Sequence, residues 1–281
     1  MKDFIKNEIE KYVIEGENNW FSEIDGHWFE KPLVQFASAE DPLFKEYKKI
    51  IGAYHQTPQE AFELSFGEGS YQGGTVISIV LPINEKIRQS NGRQTIWPSQ
   101  EWALLRTHEV AYFKEFTHFL IDLLQAKGYK TMSPSQAEWF EIMPAVPNGP
   151  SSNWSERHVA YVAGLGTFSI NDAFITEKGI AIKLLSVVTE LKLEPDRREA
   201  QSHTENCLLC SKGTCGACIK RCPVNAISAE GHDKMKCAQY TYGEESKKLA
   251  QSYGGDFAFG AGCGLCQTHV PCQSRNPMKR N

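Results

Sequence analysis

Apolar side chains recur every three or four positions in three stretches of the chain, and this spacing predicts amphipathic helices. The first stretch covers residues 4–15, and the second covers residues 109–127, where Gly128 marks the expected end of the helix. The third covers residues 156–163 and is followed by Gly164. We therefore expect a helix over each of these stretches.

Two other stretches have the composition of buried strands. Residues 75–81 are mostly apolar and precede Pro82, and residues 180–191 are rich in Val, Ile and Leu. The segment 17–74 is mixed and contains several prolines, so we expect short helices and loops there. Strands that alternate with helices over 75–191 predict an α/β (α+β) domain.

Composition and charge narrow the class of protein. The net charge is −4, so no global basic field favours nucleic acid, and we do not expect a nucleic-acid partner. The sequence contains no run of about 18 apolar residues, so we expect no membrane span. The N-terminus has neither an apolar signal core nor twin arginines, so the expected location is the cytoplasm.

Cysteine is distributed unevenly, because the first 206 residues contain none and the remainder contains nine. Cys215, Cys218, Cys222 and Pro223 have the spacing C-x2-C-x3-C-P, which is the latter part of the bacterial ferredoxin pattern. This density in one short tail predicts a module with two [4Fe-4S] clusters. The candidate ligands are Cys207, Cys210, Cys215, Cys218, Cys222, Cys237, Cys263, Cys266 and Cys272.

In two-cluster ferredoxins the cysteine before proline ligates the other cluster. The same crossover divides the ligands here into Cys215, Cys218, Cys272 and either Cys207 or Cys210 for one cluster, and Cys222, Cys237, Cys263 and Cys266 for the other. The sequence does not decide between Cys207 and Cys210. Structural zinc at two C-x2-C pairs is one alternative, although it leaves three of the cysteines unexplained. Disulfides are another, but paired C-x2-C spacing at this density favours metal.

The chain resembles epoxyqueuosine reductase and its relatives, among them the reductive dehalogenases. The similar parts are Glu-Arg-His-Val-Ala-Tyr-Val-Ala-Gly-Leu-Gly at 156–166, Thr-Phe-Ser-Ile-Asn at 167–171, the strand at 179–185, and the two cysteine groups. Their order is similar from about residue 75 to the end. The resemblance implies a nitroreductase-like corrinoid-binding domain at 1–195, followed by a ferredoxin-type double [4Fe-4S] domain at 196–281.

The resemblance also implies a function and site residues. The clusters would relay electrons to a corrinoid (cobalamin) for a reductive reaction on a small-molecule substrate, with ferredoxin or flavodoxin as electron donor. The implied cofactor contacts are Arg157, His158, Gly164 and Gly166, although both glycines equally suit a helix end and turn. His108 and Tyr112 are the catalytic candidates, with ordinary packing as the alternative.

One position departs from the pattern of epoxyqueuosine reductase. Its catalytic aspartate lies six residues before the Glu-Arg pair, and Pro150 occupies that place here. Two further interpretations therefore stay open. In the first interpretation, the protein is a non-catalytic electron-transfer or corrinoid-handling protein. In the second, the expected domain at 1–195, which we call the front domain, binds flavin.

Overall fold

The computed structural model describes residues 1–144, 146–147 and 149–279 of the chain. The strands are β1 (Trp20–Phe21), β2 (Gly26–His27), β3 (Leu33–Ser38), β4 (Thr75–Pro82), β5 (Thr131–Met132), β6 (Ile142–Met143), β7 (Ser151–Ser152), β8 (Gly166–Phe168), β9 (Phe174–Thr176), β10 (Ile182–Thr189), β11 (Ile227–Ser228) and β12 (Gly231–His232). The helices are α1 (Lys2–Glu15), α2 (Leu43–Ile50), α3 (Pro58–Phe66), α4 (Glu85–Gly92), α5 (Gln100–Gln125), α6 (Glu156–Val162), α7 (Leu208–Lys212), α8 (Ala217–Arg221), α9 (Lys234–Tyr242) and α10 (Glu244–Ser252).

The centre of the fold is a four-stranded antiparallel sheet in the order β3-β4-β10-β5. Both predicted strands are confirmed as β4 and β10, and every residue of β4 is buried. The prediction of only helices and loops over 17–74 was wrong at β3, which pairs with β4 from Leu33 to Ser38. Gln35 interrupts the apolar run of β3, so its composition is not that of a buried strand.

Side chains alternate between the two faces along each strand, so the sheet presents apolar side chains on both faces. Helices cover both of these faces. One core contains apolar residues of α1 and α5 against one face, and a second contains residues of α2, α3 and α6 against the other. The predicted helices are thus confirmed as α1, α5 and α6. The second of them begins at Gln100 rather than 109, where Ser99 Oγ accepts a hydrogen bond from the Trp102 N–H at 3.3 Å.

The cysteine-rich segment packs directly on the front of the chain. A third core joins Cys207 and Cys218 to Ile175, Ile180 and other apolar residues. The segment just before β10 contacts the chain at and after the final cysteine, since the Ile180 N–H donates to the Cys272 carbonyl at 2.8 Å and the Ala181 N–H to the Gln273 carbonyl at 3.2 Å. Within the part of the chain that the structure describes, no helix is long and apolar enough to span a membrane.

Candidate metal centre at the cysteines

Four thiols surround one cavity, and we call Cys207, Cys215, Cys218 and Cys272 the first cysteine group. The other walls of the cavity come from apolar residues such as Ile175, Leu209 and Val270, and from Ser169. Helix α8 begins at Ala217 between two of the cysteines, so the tight loop around Gly216 turns both sulfurs inward.

The structure separates the two cysteines that the sequence could not tell apart. Cys207 is 6% exposed and lines the cavity, whereas Cys210 is exposed and does not line it. Burial raises the pKa of the Cys207 thiol, but hydrogen bonds from the Cys210 and Ile170 N–H groups and from Ser169 outweigh burial and lower the pKa. Burial beside Cys207 raises the pKa of Cys210 to about 11. Cys207 therefore has the environment of a thiolate ligand.

Four of the other five thiols interact with one another, and we call Cys222, Cys237, Cys263 and Cys266 the second cysteine group. Burial first, and then the charges of Cys237 and Cys222, raise the pKa of Cys263 to about 11. Cys222 Sγ accepts a hydrogen bond from the Ala226 N–H at 3.1 Å. This grouping follows the ferredoxin-type crossover, and the assignment of ligands to two clusters stays a prediction.

Arg221 lies beside the second group and links it to the front of the chain. Its Nε donates to the Leu265 and Thr268 carbonyls at 3.1 Å each, and Nη1 donates to the Gln94 carbonyl at 2.8 Å. Cys263 and Cys266 both interact with its charge. One arginine thus fixes the loop that carries two of the cysteines and places a positive charge near them.

The first cysteine group suits an inorganic cluster that is larger than one ion. Within residues 1–144, 146–147 and 149–279, no three His, Cys, Asp or Glu side chains are close enough together to hold a single metal ion. Four sulfurs instead surround a cavity, and backbone N–H groups point at Cys207 and Cys222. Such N–H···S hydrogen bonds are characteristic of iron–sulfur ligation. The residues of the first group therefore fit a cubane cluster.

A turn of the front domain reaches both cysteine groups, and the sequence did not indicate it. Ser169 Oγ lies 3.6 Å from Cys207 Sγ, and Asn171 Nδ2 donates to the Cys266 carbonyl at 3.3 Å. Asp172 Oδ2 lies 3.1 Å from His232 Nδ1. Residues 167–171 carry part of the family resemblance, but nothing in their own sequence indicates a contact with the cysteines. Their contact with the cysteines depends on tertiary packing.

His232 connects the turn to the second group. Burial lowers its pKa, but contacts with Asp172 and Cys237 outweigh burial and raise the pKa to about 9. The pKa of Cys237 is lowered in turn, because contacts with His232 and Thr241 and the charge of Arg157 overcome burial. A carboxylate, an imidazole and a candidate ligand thus form one continuous chain.

His108 and Tyr112 lie in the first core, among aromatic side chains. The His108 ring stacks on Trp28 with centroids 4.4 Å apart, and Tyr112 is 1% exposed and packs against Phe29 and Phe116. Burial lowers the pKa of His108 and strongly raises that of Tyr112. The packing interpretation accounts for both residues, and their catalytic role stays a prediction.

The two glycines of the motif fit their own protein neighbours. Gly164 has a φ of +82°, and a Cβ there would lie 2.9 Å from the Arg197 carbonyl oxygen. A Cβ at Gly166 would overlap the Ile175 carbonyl on the paired strand β9. Close backbone contact and a turn explain both glycines without a cofactor.

His158 and Arg157 are neighbours with different surroundings. His158 Nδ1 lies 2.8 Å from Ser155 Oγ, and its ring packs edge-on against Tyr47. Burial, with the charges of His55 and Arg157, lowers the pKa of His158 to about 3. Arg157 is exposed, and its charge reaches Cys237 and Lys183. Of the four predicted cofactor contacts, Arg157 is the one that faces the second cysteine group.

A buried ion cluster lies where α5, β10 and the cysteine-rich segment meet. Glu109 Oε2 is 2.5 Å from Lys183 Nζ, and Oε1 is 2.9 Å from Arg106 Nη1. The Lys183 contact is an ion pair whose angles are not those of a hydrogen bond, since Oε2 has no hydrogen-bond partner. The Arg106 guanidinium also lies over the Tyr242 ring, so the cluster joins the two parts of the chain.

Glu156, the first residue of α6, has both carboxyl oxygens buried without a hydrogen-bond partner of good geometry. Burial raises its pKa to about 7, although Ser186, Ser135 and Trp154 lie nearby and lower it in part. A buried carboxyl without partners is a group to which a ligand, or ordered water, can donate. The sequence placed Glu156 only in a motif.

Comparison with known proteins identifies the class to which this arrangement is similar. No protein-family model matches the chain. An epoxyqueuosine reductase of Synechocystis sp. is 32% identical over 136 residues, which are 46% of this chain and 42% of that protein. The match therefore spans less than half of the curated relative.

Solved structures show the fold. A selenomethionine-labelled epoxyqueuosine reductase superposes with a TM-score of 0.52 at 16% identity, over 97% of this chain and 65% of that chain. A catabolic reductive dehalogenase superposes with a TM-score of 0.51 at 17% identity, over 88% of this chain and 30% of that chain. The resemblance predicted from the motifs is thus confirmed, and the chain has a mixed α/β fold like those enzymes.

A third structure bears on partners. An epoxyqueuosine reductase solved with an epoxyqueuosine-modified tRNA stem loop superposes with a TM-score of 0.51 at 18% identity, over 97% of this chain and 65% of that chain. The expectation that nucleic acid is not a partner finds no support in this comparison.

Proposed function

We propose that the chain is an iron–sulfur reductase in which two [4Fe-4S] clusters relay single electrons into the front domain. The observation that carries the proposal is the first cysteine group, whose four thiols surround one cavity. Each group supplies the four thiolates that a cubane requires. We divide the chain into a nitroreductase-like domain at 1–195 and a ferredoxin-type domain at 196–281.

We place the electron acceptor on the side of the second cysteine group. Arg157 and Lys183, which both belong to the front domain, lie on this side, and the charge of Arg157 reaches Cys237. Electrons that enter at the first group would therefore leave through the second. Ferredoxin or flavodoxin is the proposed electron donor.

A corrinoid is the acceptor that the resemblance implies, and the residues predicted to hold it fit only in part. His158, Gly164 and Gly166 are occupied by contacts within the protein, whereas Arg157 is exposed. The buried carboxyl of Glu156 has no hydrogen-bond partner of good geometry, although Ser186, Ser135 and Trp154 lie beside it. When bound, a corrinoid supplies cobalt that exchanges electrons with the clusters. Arg157 would orient it, and Glu156 would hold a proton at its carboxyl group.

A second candidate is an electron-transfer or corrinoid-handling protein without a substrate reaction of its own. Pro150 favours this candidate, because it occupies the place of the catalytic aspartate of epoxyqueuosine reductase. Flavin in the front domain is the remaining cofactor alternative. An epoxyqueuosine-modified tRNA stem loop and a halogenated organic compound are substrates to test, since an epoxyqueuosine reductase solved with such a stem loop and a reductive dehalogenase share the fold.

Anaerobic purification tests the proposal. We expect about eight irons and about eight sulfides per chain, because each cubane contains four of each. Added cobalamin should be bound and reduced by the dithionite-treated protein, as followed by its visible spectrum. Zinc without sulfide would overturn the proposal. Clusters with reduction of cobalamin but no turnover of either substrate would favour the second candidate.

A further inference from the structure

We propose that the turn Ser169–Asp172 raises the reduction potentials of both clusters through hydrogen bonds directed at their cysteine ligands. This inference rests on the proposed function, because it requires clusters at both cysteine groups. The turn belongs to the front domain, between β8 and β9. It lies against both groups at once, so a single local structure acts on both clusters.

The contact with the first cluster is made by the start of the turn. Ser169 Oγ lies 3.6 Å from Cys207 Sγ, which is hydrogen-bond distance for sulfur. Ser169 also lines the cavity of the first cysteine group, and the Ile170 N–H points at the same sulfur. Cys207 therefore receives two donors from the front domain.

The contact with the second cluster is made by the end of the turn. Asn171 Nδ2 donates to the Cys266 carbonyl at 3.3 Å, and the Asn171 side chain partly offsets the effect of burial, which raises the pKa of the Cys266 thiol. His232 lies beside Cys237 and lowers the pKa of its thiol, and Asp172 Oδ2 accepts from His232 Nδ1 at 3.1 Å. Asp172 is a positioning residue, because it fixes the ring that contacts the ligand.

The turn is built to hold these side chains in place. The Asp172 N–H donates to the Ser169 carbonyl at 2.9 Å, and the Ser169 N–H donates to the Ala173 carbonyl at 2.8 Å. Asn171 Oδ1 accepts from the Ala173 N–H at 3.2 Å. Asp172 adopts a φ of +57°, which non-glycine residues adopt rarely. The surrounding structure therefore holds the backbone in a costly conformation that aims these side chains at the cysteines.

Hydrogen bonds to cluster sulfurs favour the reduced state. A cluster becomes more negative when it accepts an electron, and a donor at its ligand stabilises that added charge. A hydrogen bond to a charged group changes an equilibrium constant by about tenfold or more. For a one-electron couple, tenfold corresponds to about 59 mV.

The test is an EPR-monitored redox titration of the anaerobic protein with both clusters loaded. Ser169→Ala should lower the potential of one cluster by about 59 mV and leave the other unchanged. His232→Phe should lower the other cluster's potential by a similar amount. Asp172→Asn should lower the same potential as His232→Phe, since it acts through that ring. Ser228→Ala and His203→Phe replace the same residue types on exposed positions and should leave both potentials unchanged.

The outcomes separate this inference from the proposed function. Full iron and sulfide with unchanged potentials in Ser169→Ala and His232→Phe would overturn the role of the turn and leave the clusters standing. A shift of the same cluster by both variants would contradict the assignment of one contact to each cluster. Protein without iron and sulfide would overturn the proposed function, and this inference with it. Equal iron content in all variants is the check that each one folds.

Discussion

Cys207 and Cys210 are three positions apart and have opposite environments. Cys207 lines the cavity of the first cysteine group, and Cys210 is exposed outside it. We expect Cys210→Ser to keep about eight irons per chain and Cys207→Ser to lose about four, because one of two cubanes loses a ligand. Iron and sulfide analysis with EPR of the anaerobic variants measures this. Loss of iron in Cys210→Ser alone would reverse the assignment.

Glu156 predicts a pH dependence of stability. Burial raises its folded pKa to about 7 from an ordinary value of 4.5, so the folded state binds more protons than the unfolded state between these pH values. Stability contributed by the neutral carboxyl is present below pH 4.5 and is lost as the pH rises through about 7, at a cost of about 3 kcal/mol.

Glu156→Gln removes this ionisation. We expect the variant to be more stable than the parent at about pH 8 and to differ little from it at about pH 5. Urea denaturation of both proteins at the two pH values measures the difference. Glu177→Gln, at an exposed position, is the control. An equal effect of Glu156→Gln at both pH values would show that its carboxyl is not the titrating group.

The sequence predicts residues whose neighbours are close along the chain, and it misses those that tertiary packing brings together. The cysteines could be predicted because a C-x2-C turn aims two sulfurs by local geometry. Ser169 and Asp172 could not, since they reach Cys207 and His232 across more than thirty positions. Arg157 was predicted from the motif, whereas the surroundings that distinguish it from His158 appear only in the fold.

At the scale of elements, the main sheet also shows which features can be predicted from the sequence and which cannot. Strand β4 was predictable because it is apolar throughout, and β3 was not because Gln35 and its short length hide it. Helix α5 begins nine residues before its predicted start, since Trp102 and Leu105 pack in the first core while Arg106 reaches the cysteine-rich segment. A periodic pattern of apolar residues reveals one packed side of a helix. Helix α5 has two packed sides, one against the first core and one against the cysteine-rich segment.

The loop that carries Cys263 and Cys266 packs on α5 at a glycine. Gly264 has a φ of +65°, and a Cβ there would overlap the Trp102 ring. Gly213 has nearly the same φ, +64°, but nothing lies within 4 Å of a Cβ at that position. Both changes to Ala cost the left-handed conformation, about 1–2 kcal/mol, and only Gly264→Ala adds a clash.

We therefore expect Gly264→Ala to lose about four irons, those of the second cluster, while Gly213→Ala keeps about eight. Urea denaturation should also show a larger loss of stability for Gly264→Ala. The pair separates the effect of backbone strain from that of packing. Equal iron loss in both variants would mean that strain alone disrupts the module.

For the whole molecule, the proposed domain boundary at residue 195 separates two parts of the sequence, but these parts pack closely against each other. The cysteine-rich segment shares a core with Ile175 and Ile180, and the chain after Cys272 contacts the front domain. The charged cluster of Arg106, Glu109 and Lys183 adds a polar link across the same boundary. The electron transfer that we propose would need such close packing, because the two parts must keep a fixed separation.

The charged cluster gives the last prediction. Glu109 is buried between two cations, so Glu109→Gln leaves Arg106 and Lys183 facing each other without compensation and should cost about 3–5 kcal/mol. Lys183→Met leaves Glu109 paired with Arg106 and should cost less. The double variant should cost less than the sum by about 1–3 kcal/mol, because it removes both members of the closest pair. Urea denaturation of the four proteins measures this coupling energy. Strict additivity would mean that Glu109 and Lys183 do not stabilise each other, and that Arg106 alone holds the carboxylate at the boundary.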